Sequence, residues 1–234
     1  MVCDCGQDCD HRVVYVDVVR VFVDERGDFG NELGIVQADA TVEGKAQQIA
    51  AELGFSETVF VSDAIHGCAS MRIFTPAAEL PFAGHPSVGA AWWFARRGES
   101  LTTLVVPAGD IVVRYEGDLT WIAGQAAWAP EFVMHPKSAP PEVDALAAAA
   151  FVSGHHYAWA WIDEDAGVIR ARMFAPGLGV AEDEATGSAA VRITTQLERD
   201  LTIRQGAGSV LHTRWLDGPV EVGGCTVFDR TLKL

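Results

Sequence analysis

Positive charge is scarce in this chain of 234 residues: Lys and Arg total 17 against 32 Asp and Glu, a formal net charge of −15. That balance repels phosphate backbones and anionic lipid, so nucleic acid and membrane are not expected partners. Long apolar runs are missing too. None approaches the ~20 residues of a membrane span, and the first dozen residues are acidic and polar where a secretory signal is basic and then apolar. The expectation is a soluble, cytoplasmic protein. Also absent are the G-x4-G-K-[ST] phosphate loop, a G-x-G-x2-G turn after a strand, the G-x-S-x-G nucleophile elbow and the H-E-x2-H pair. Nucleotide, serine-hydrolase and zincin chemistries therefore have no footing in the sequence.

Cysteine is sparse and badly spaced for structural roles. Cys3, Cys5 and Cys9, with His11 behind them, lack the paired C-x2-C spacing of common zinc sites, and Cys68 and Cys225 stand alone in strand-like stretches. The odd total of five argues against a disulfide framework. His155-His156 has no third ligand at a suitable spacing and reads as surface, so no metal site is expected. What remains is ordinary globular composition, 49% hydrophobic and 21% charged, enough for a packed core.

The Val-rich segment Val13–Val23 reads as a largely buried strand, followed by a turn at Asp24–Asp28 and a short strand Leu33–Gln37. Val42–Leu53 has helical apolar spacing, with Gly54 placed for a left-handed cap. Strands follow at Thr58–Val61 and Ala69–Phe74, then a loop Thr75–Pro81. A helix opens at Gly84-His85-Pro86, with Val88, Ala91, Trp92 and Ala95 as its apolar stripe. The second half repeats this order. Arg72-x-Phe74-x-Pro76 returns as Arg172-x-Phe174-x-Pro176, an offset of 100 residues, and Gly84 before its helix returns as Gly187, an offset of 103. A helix Val143–Phe151 and a strand Tyr157–Ile162 precede the second pentad as their counterparts precede the first. The repeat points to two pseudo-symmetric domains: 12–116 and 117–234, after an acidic Cys-bearing tail at 1–11, with the last strand free to return to the first domain.

Each glycine turn presents backbone to a ligand at a helix start, where unpaired N–H groups attract anions; the alternative is that the glycines serve loop geometry alone. Glu57 opens a strand among apolar neighbours that would raise its pKa toward the useful range of a general acid/base, or else it is a solvated strand-end carboxylate. His85 could shuttle a proton or cap its helix. Asp183, within Glu182-Asp183-Glu184, reads on its own as part of a solvated acidic loop.

Arg72–Pro76, Glu79-Leu80-Pro81-Phe82-Ala83-Gly84-His85-Pro86 and Gly89-Ala90-Ala91 resemble the first signature of the phenazine biosynthesis PhzF-like family. Glu182-Asp183 with Ala185–Ala190 resembles the second, and Gly30-Asn31, Ser56-Glu57-Thr58 and Gln205-Gly206 resemble shorter landmarks in the same order. The resemblance implies an α/β (α+β) fold of the diaminopimelate epimerase-like kind: two pseudo-symmetric domains, each a curved mixed sheet around a central helix, with the site between them. It further implies Glu57 as catalytic acid/base, His85 and Asp183 as its polar neighbours, and Gly84, Gly187 and Ser188 as substrate-binding turns. It implies a homodimer without cofactor that isomerises a small carboxylated metabolite, as the family's trans-2,3-dihydro-3-hydroxyanthranilate isomerases do. A noncatalytic small-carboxylate-binding protein and a carboxylate-based amino-acid epimerase are the alternatives. The sequence departs from the family at Glu32 and Glu184, where proline is usual, and at Gly208–His212, where an Arg-Pro-Ser run is usual. The glycine turns carry His85 and Ser188 in place of paired cysteines, which argues against a two-thiol mechanism.

Overall fold

The computed structural model describes residues 13–40, 42–178 and 180–234, so the tail expected at 1–11 lies outside the described residues. The order is β1 (Tyr15–Val23), β2 (Asn31–Gln37), α1 (Ala46–Leu53), β3 (Glu57–Val61), β4 (Cys68–Phe74), β5 (Glu79–Leu80) and α2 (Gly84–Arg96). Then come β6 (Thr103–Val106), β7 (Gly109–Glu116), β8 (Leu119–Gly124), β9 (Val133–Pro136), α3 (Pro140–Asp144), β10 (His156–Asp163) and β11 (Val168–Ala175). β12 (Val180–Asp183), α4 (Gly187–Leu197), β13 (Leu201–Gln205), β14 (Ser209–Trp215) and β15 (Val220–Lys233) complete it.

One ring of strands runs β1-β2-β3-β4-β6-β7-β8-β15 and closes through antiparallel pairing of β15 with β1. Closure removes the exposed edges that an open sheet would present. α2 passes through this ring, which is why its first two turns, Gly84–Ala91, are buried all round. The single stripe expected from Val88, Ala91, Trp92 and Ala95 is therefore corrected: strands meet the helix on every side, whereas Trp92 and Ala95 are only partly buried. From β15 the sheet continues β14-β13-β11-β10-β9 and curves around α4. The observed class is mixed α+β, with a curved sheet around each of two central helices.

The repeated pentads occupy equivalent places. β3 pairs antiparallel with β4 and β10 with β11, setting Thr58 opposite Phe74 and His156 opposite Phe174. Arg72 lies over the Phe74 ring and Arg172 over the Phe174 ring, each at 4.9 Å. Each guanidinium forks onto a carboxylate of the next short strand, Glu79 of β5 or Glu182 of β12.

Three local expectations change. The helix expected over Val42–Leu53 begins at Ala46, after turns at Val42 and Lys45, and ends as expected at left-handed Gly54, φ 69°, whose N–H bonds to the Ala50 carbonyl. The helix expected over Val143–Phe151 is only the five-residue α3 and a single 3-10 turn at Ala148–Ala150. Alanine propensity does not prevail because Arg172 takes the carbonyls of Val143, Asp144 and Leu146 for its own guanidinium, and of this stretch only Val143 is fully buried. Finally, Glu182-Asp183 belongs to β12 rather than to a solvated loop, and Asp183 is partly buried.

Candidate active site

α2 and α4 meet end to end at their N-termini. A Cβ on Gly84 would lie 2.7 Å from the Gly187 Cα, and one on Gly187 would lie 2.8 Å from the Gly84 Cα and 3.0 Å from the His85 nitrogen. Only glycine at both positions permits this approach. Neither helix has a side-chain cap: Ala83 has no group to offer, and Thr186, a residue that ordinarily caps, turns its hydroxyl elsewhere. The first-turn N–H groups of both helices, including those of His85 and half-buried Ser188, therefore converge as a paired anion-attracting end without any Lys or Arg in either turn. Gly84, Gly187 and Ser188 are thus brought together.

Glu57 and His85 face one another beside this junction. His85 Nε2 is 3.5 Å from Glu57 Oε2, and both atoms are enclosed without a hydrogen-bond partner among the described residues. Burial pushes the Glu57 carboxyl up to about 7, and a hydrogen bond from the Ser56 hydroxyl offsets this in part. Burial pushes His85 down to about 4, opposed by the Asp183 charge and by a hydrogen bond to the backbone of Glu32. Because Nε2 has no partner, the Glu32 carbonyl is served by Nδ1–H. Neutral His85 therefore turns a bare Nε2 lone pair toward Glu57, an arrangement that favours the protonated acid.

Asp183 is partly buried beside the same pair, and desolvation followed by the Glu57 charge pushes it up to about 6. The His85 charge and two hydrogen bonds hold it down: the Thr186 hydroxyl donates to Oδ2 at 2.5 Å and Asn31 Nδ2 to Oδ1 at 2.7 Å. Asn31, whose amide also reaches the Ala185 carbonyl at 2.8 Å, fastens β2 to the start of α4. Neither Asn31 nor Thr186 is singled out as a site residue by sequence; Asn31 enters only through the Gly30-Asn31 landmark. Glu184, beside Asp183, accepts from the backbone N–H groups of Ala207, Gly208 and Ser209 and from the Ser209 hydroxyl. The acidic run thus splits into an ion-paired Glu182, a partly buried Asp183 held by Asn31 and Thr186, and a loop-binding Glu184.

Other candidates lie apart. His156 stacks near Phe151 and its Nδ1 is 3.0 Å from His135 Nε2, a pairing across β9 and β10 that sequence spacing does not disclose. Two surface cavities, of about 340 and 320 Å³, include none of Glu57, His85 and Asp183 in their walls. Among the described residues, no helix is long and apolar enough to cross a membrane.

The family model described as phenazine biosynthesis-like protein, PhzC-PhzF, matches residues 19–150 and 137–213. A trans-2,3-dihydro-3-hydroxyanthranilate isomerase of Pseudomonas fluorescens is 32% identical over 217 residues, covering 76% of this chain and 77% of that protein. An uncharacterized isomerase of Pasteurella multocida is 48% identical over 66 residues, a match that spans 27% of this chain and only 23% of that relative. Among solved structures, a PhzF-family protein of Enterococcus faecalis superimposes with a TM-score of 0.79 at 18% identity, over 95% of this chain and 99% of that one. A hydroxyproline epimerase from Agrobacterium vitis shares the fold at a TM-score of 0.61 and 11% identity, over 96% and 93% of the two chains.

Proposed function

The chain belongs to the phenazine biosynthesis-like family, and from that premise we propose that it is a cofactor-independent isomerase moving a proton between carbons of a small carboxylated metabolite. Glu57 is the single acid/base. The observation that carries this reading is an enclosed carboxyl group, titrating near 7, that faces a bare imidazole nitrogen at the junction of two uncapped helix ends.

The chemistry follows from these placements. The substrate carboxylate binds the converging N–H groups of α2 and α4, one helix from each of the proposed units 12–116 and 117–234. Ionised Glu57 takes a proton from a substrate carbon, and His85 Nε2 accepts a hydrogen bond from the acid so formed. Asp183 remains ionised, and its charge favours the state in which Glu57 and His85 hold the proton. Glu57 then returns that proton to a second carbon. A carboxyl titrating near neutrality suits both steps, because it is neither too weak a base to remove the proton nor too weak an acid to give it back.

The relative from Pseudomonas fluorescens supplies the first substrate to try, trans-2,3-dihydro-3-hydroxyanthranilate. In deuterated water the wild-type protein is expected to isomerise it with deuterium entering at carbon, and Glu57→Gln to abolish both. Full turnover by Glu57→Gln would overturn the mechanism. Tight binding of small acids with no carbon-bound exchange would leave a binding protein, and inversion at a stereocentre would mark an epimerase.

A further inference from the structure

Behind Asp183 lies a fully buried amide, Gln205 at the end of β13, which no step of the proton shift uses. We infer that Gln205 is a positioning residue that sets the hydrogen-bond polarity around the Asp183 carboxylate; this rests on the function proposed above.

Gln205 Nε2 donates one hydrogen to the Asp183 backbone carbonyl at 3.0 Å and the other to the Thr186 hydroxyl oxygen at 2.8 Å. A hydroxyl that accepts in this way has a single proton left to give. That proton goes to Asp183 Oδ2. The amide cannot work reversed, since Oε1 would then face the Asp183 carbonyl, acceptor against acceptor. Its oxygen points instead at the buried Tyr157 hydroxyl, 3.3 Å away. Burial raises the Tyr157 pKa, which keeps that hydroxyl protonated and donating. Polarity therefore runs one way, from Tyr157 through Gln205 and Thr186 to Asp183.

This order explains why Thr186, at the N-cap position of α4, does not cap it. Its donor is committed to Asp183 and its acceptor side to Gln205, so the α4 N–H groups stay open toward the junction with α2. One buried amide thus sustains both an ionised Asp183 and an uncapped helix end. The titratable groups facing Asp183 are Glu57 of β3, His85 of α2 and Tyr157 of β10, with Arg170 acting in turn on Tyr157.

The test reads Asp183 directly, by ¹³C NMR titration of its carboxyl group without substrate, alongside the pH profile of kcat/KM. Gln205→Met and Thr186→Val should each move the carboxyl upward by about one pH unit, steepening the acid limb of the profile, while Thr186→Ser restores the wild-type position. The double variant should shift it no further than Thr186→Val alone, because both act through one hydroxyl. An unmoved carboxyl in Gln205→Met or in Thr186→Val overturns the inference, as does a loss of thermal stability with an unchanged profile. If the carboxyl shifts as expected while Glu57→Gln turns over fully, the polarity stands and the isomerase mechanism falls. Thr186→Val keeps the test decisive if Gln205→Met does not fold.

Discussion

Replacing Gly187 with alanine tests the geometry on which the site depends. The added Cβ would sit 2.8 Å from the Gly84 Cα, 3.0 Å from its carbonyl carbon and 3.0 Å from the His85 nitrogen. Carbon atoms in comfortable contact lie roughly 3.5–4.0 Å apart. Every atom met belongs to backbone, so no rotamer change relieves the overlap, and the helix ends must part by about 1 Å. Overpacking of this kind costs about 1–3 kcal/mol, and a misplacement of about 1 Å at reacting groups costs about 100-fold in rate. Thermal melts and steady-state isomerisation of Gly187→Ala should show both losses. Gly84→Ala should behave alike, since its Cβ would meet the Gly187 Cα at 2.7 Å. The double variant should lose less than the two single losses together, because one separation relieves both overlaps. Gly98→Ala is the control: nothing lies within 4 Å of its Cβ, but its φ of +83° is left-handed, so about 1–2 kcal/mol of stability should go with kcat unchanged. Wild-type melting and turnover in Gly187→Ala would refute the abutting helix ends.

Glu57 should destabilise the protein as it ionises. Its folded pKa is raised from 4.5 to about 7, so its favourable contribution is full below the unfolded value and is lost as pH rises through about 7. Glu57→Gln should gain on the wild type over that window, by at most about 3 kcal/mol at roughly 1.4 kcal/mol per pKa unit; equal differences in urea melts at pH 4.5 and 8 would contradict this. Arg172 and Arg72 hold equivalent positions but differ in burial, with side chains 15% and 59% exposed. Arg172→Ala, which frees Glu182 and three carbonyls, should therefore cost about 2–4 kcal/mol and Arg72→Ala no more than about 1 kcal/mol, a ranking that chemical denaturation can check. Asn31→Ala removes one of the two side-chain donors on Asp183 and unpairs the Ala185 carbonyl. A loss of about 1–3 kcal/mol and an upward shift of Asp183 are expected, and an unmoved Asp183 titration would count against the assignment.

What the sequence discloses is set by range. Gly54, Gly84 and Gly187 act through their own backbone and the turn beside them, so helix ends are readable from local pattern. The Arg-x-Phe-x-Pro repeat is readable because two copies can be compared, and the structure returns the same cation–π and forked ion pair in both. Glu57 is legible as a candidate from its apolar neighbours. Asp183 enters through the family resemblance, because read on their own three successive acids look solvated; only the folded chain reveals that Arg172, Asn31 with Thr186, and the loop 207–209 each claim one of them. Asn31, Gln205 and Tyr157 act across separations that no periodicity spans. The Ala-rich stretch shows the reverse error, in which strong local propensity yields to a guanidinium that arrives from β11.

The pairing of β15 with β1 also fixes an order of events. Tyr15 lies opposite Lys233 and Val23 opposite Cys225, so β1, the first of the described strands, takes the last of them as its partner. Until then β1 has only β2, and its other edge is open to any extended chain nearby. Closing so long a loop is paid mainly in speed, since its entropy grows only logarithmically with length while non-local pairing slows folding. Synthesis stalled within β14 should therefore leave α2 in an unclosed ring, prone to association through β1, and a supplied peptide of residues 220–233 should complete it.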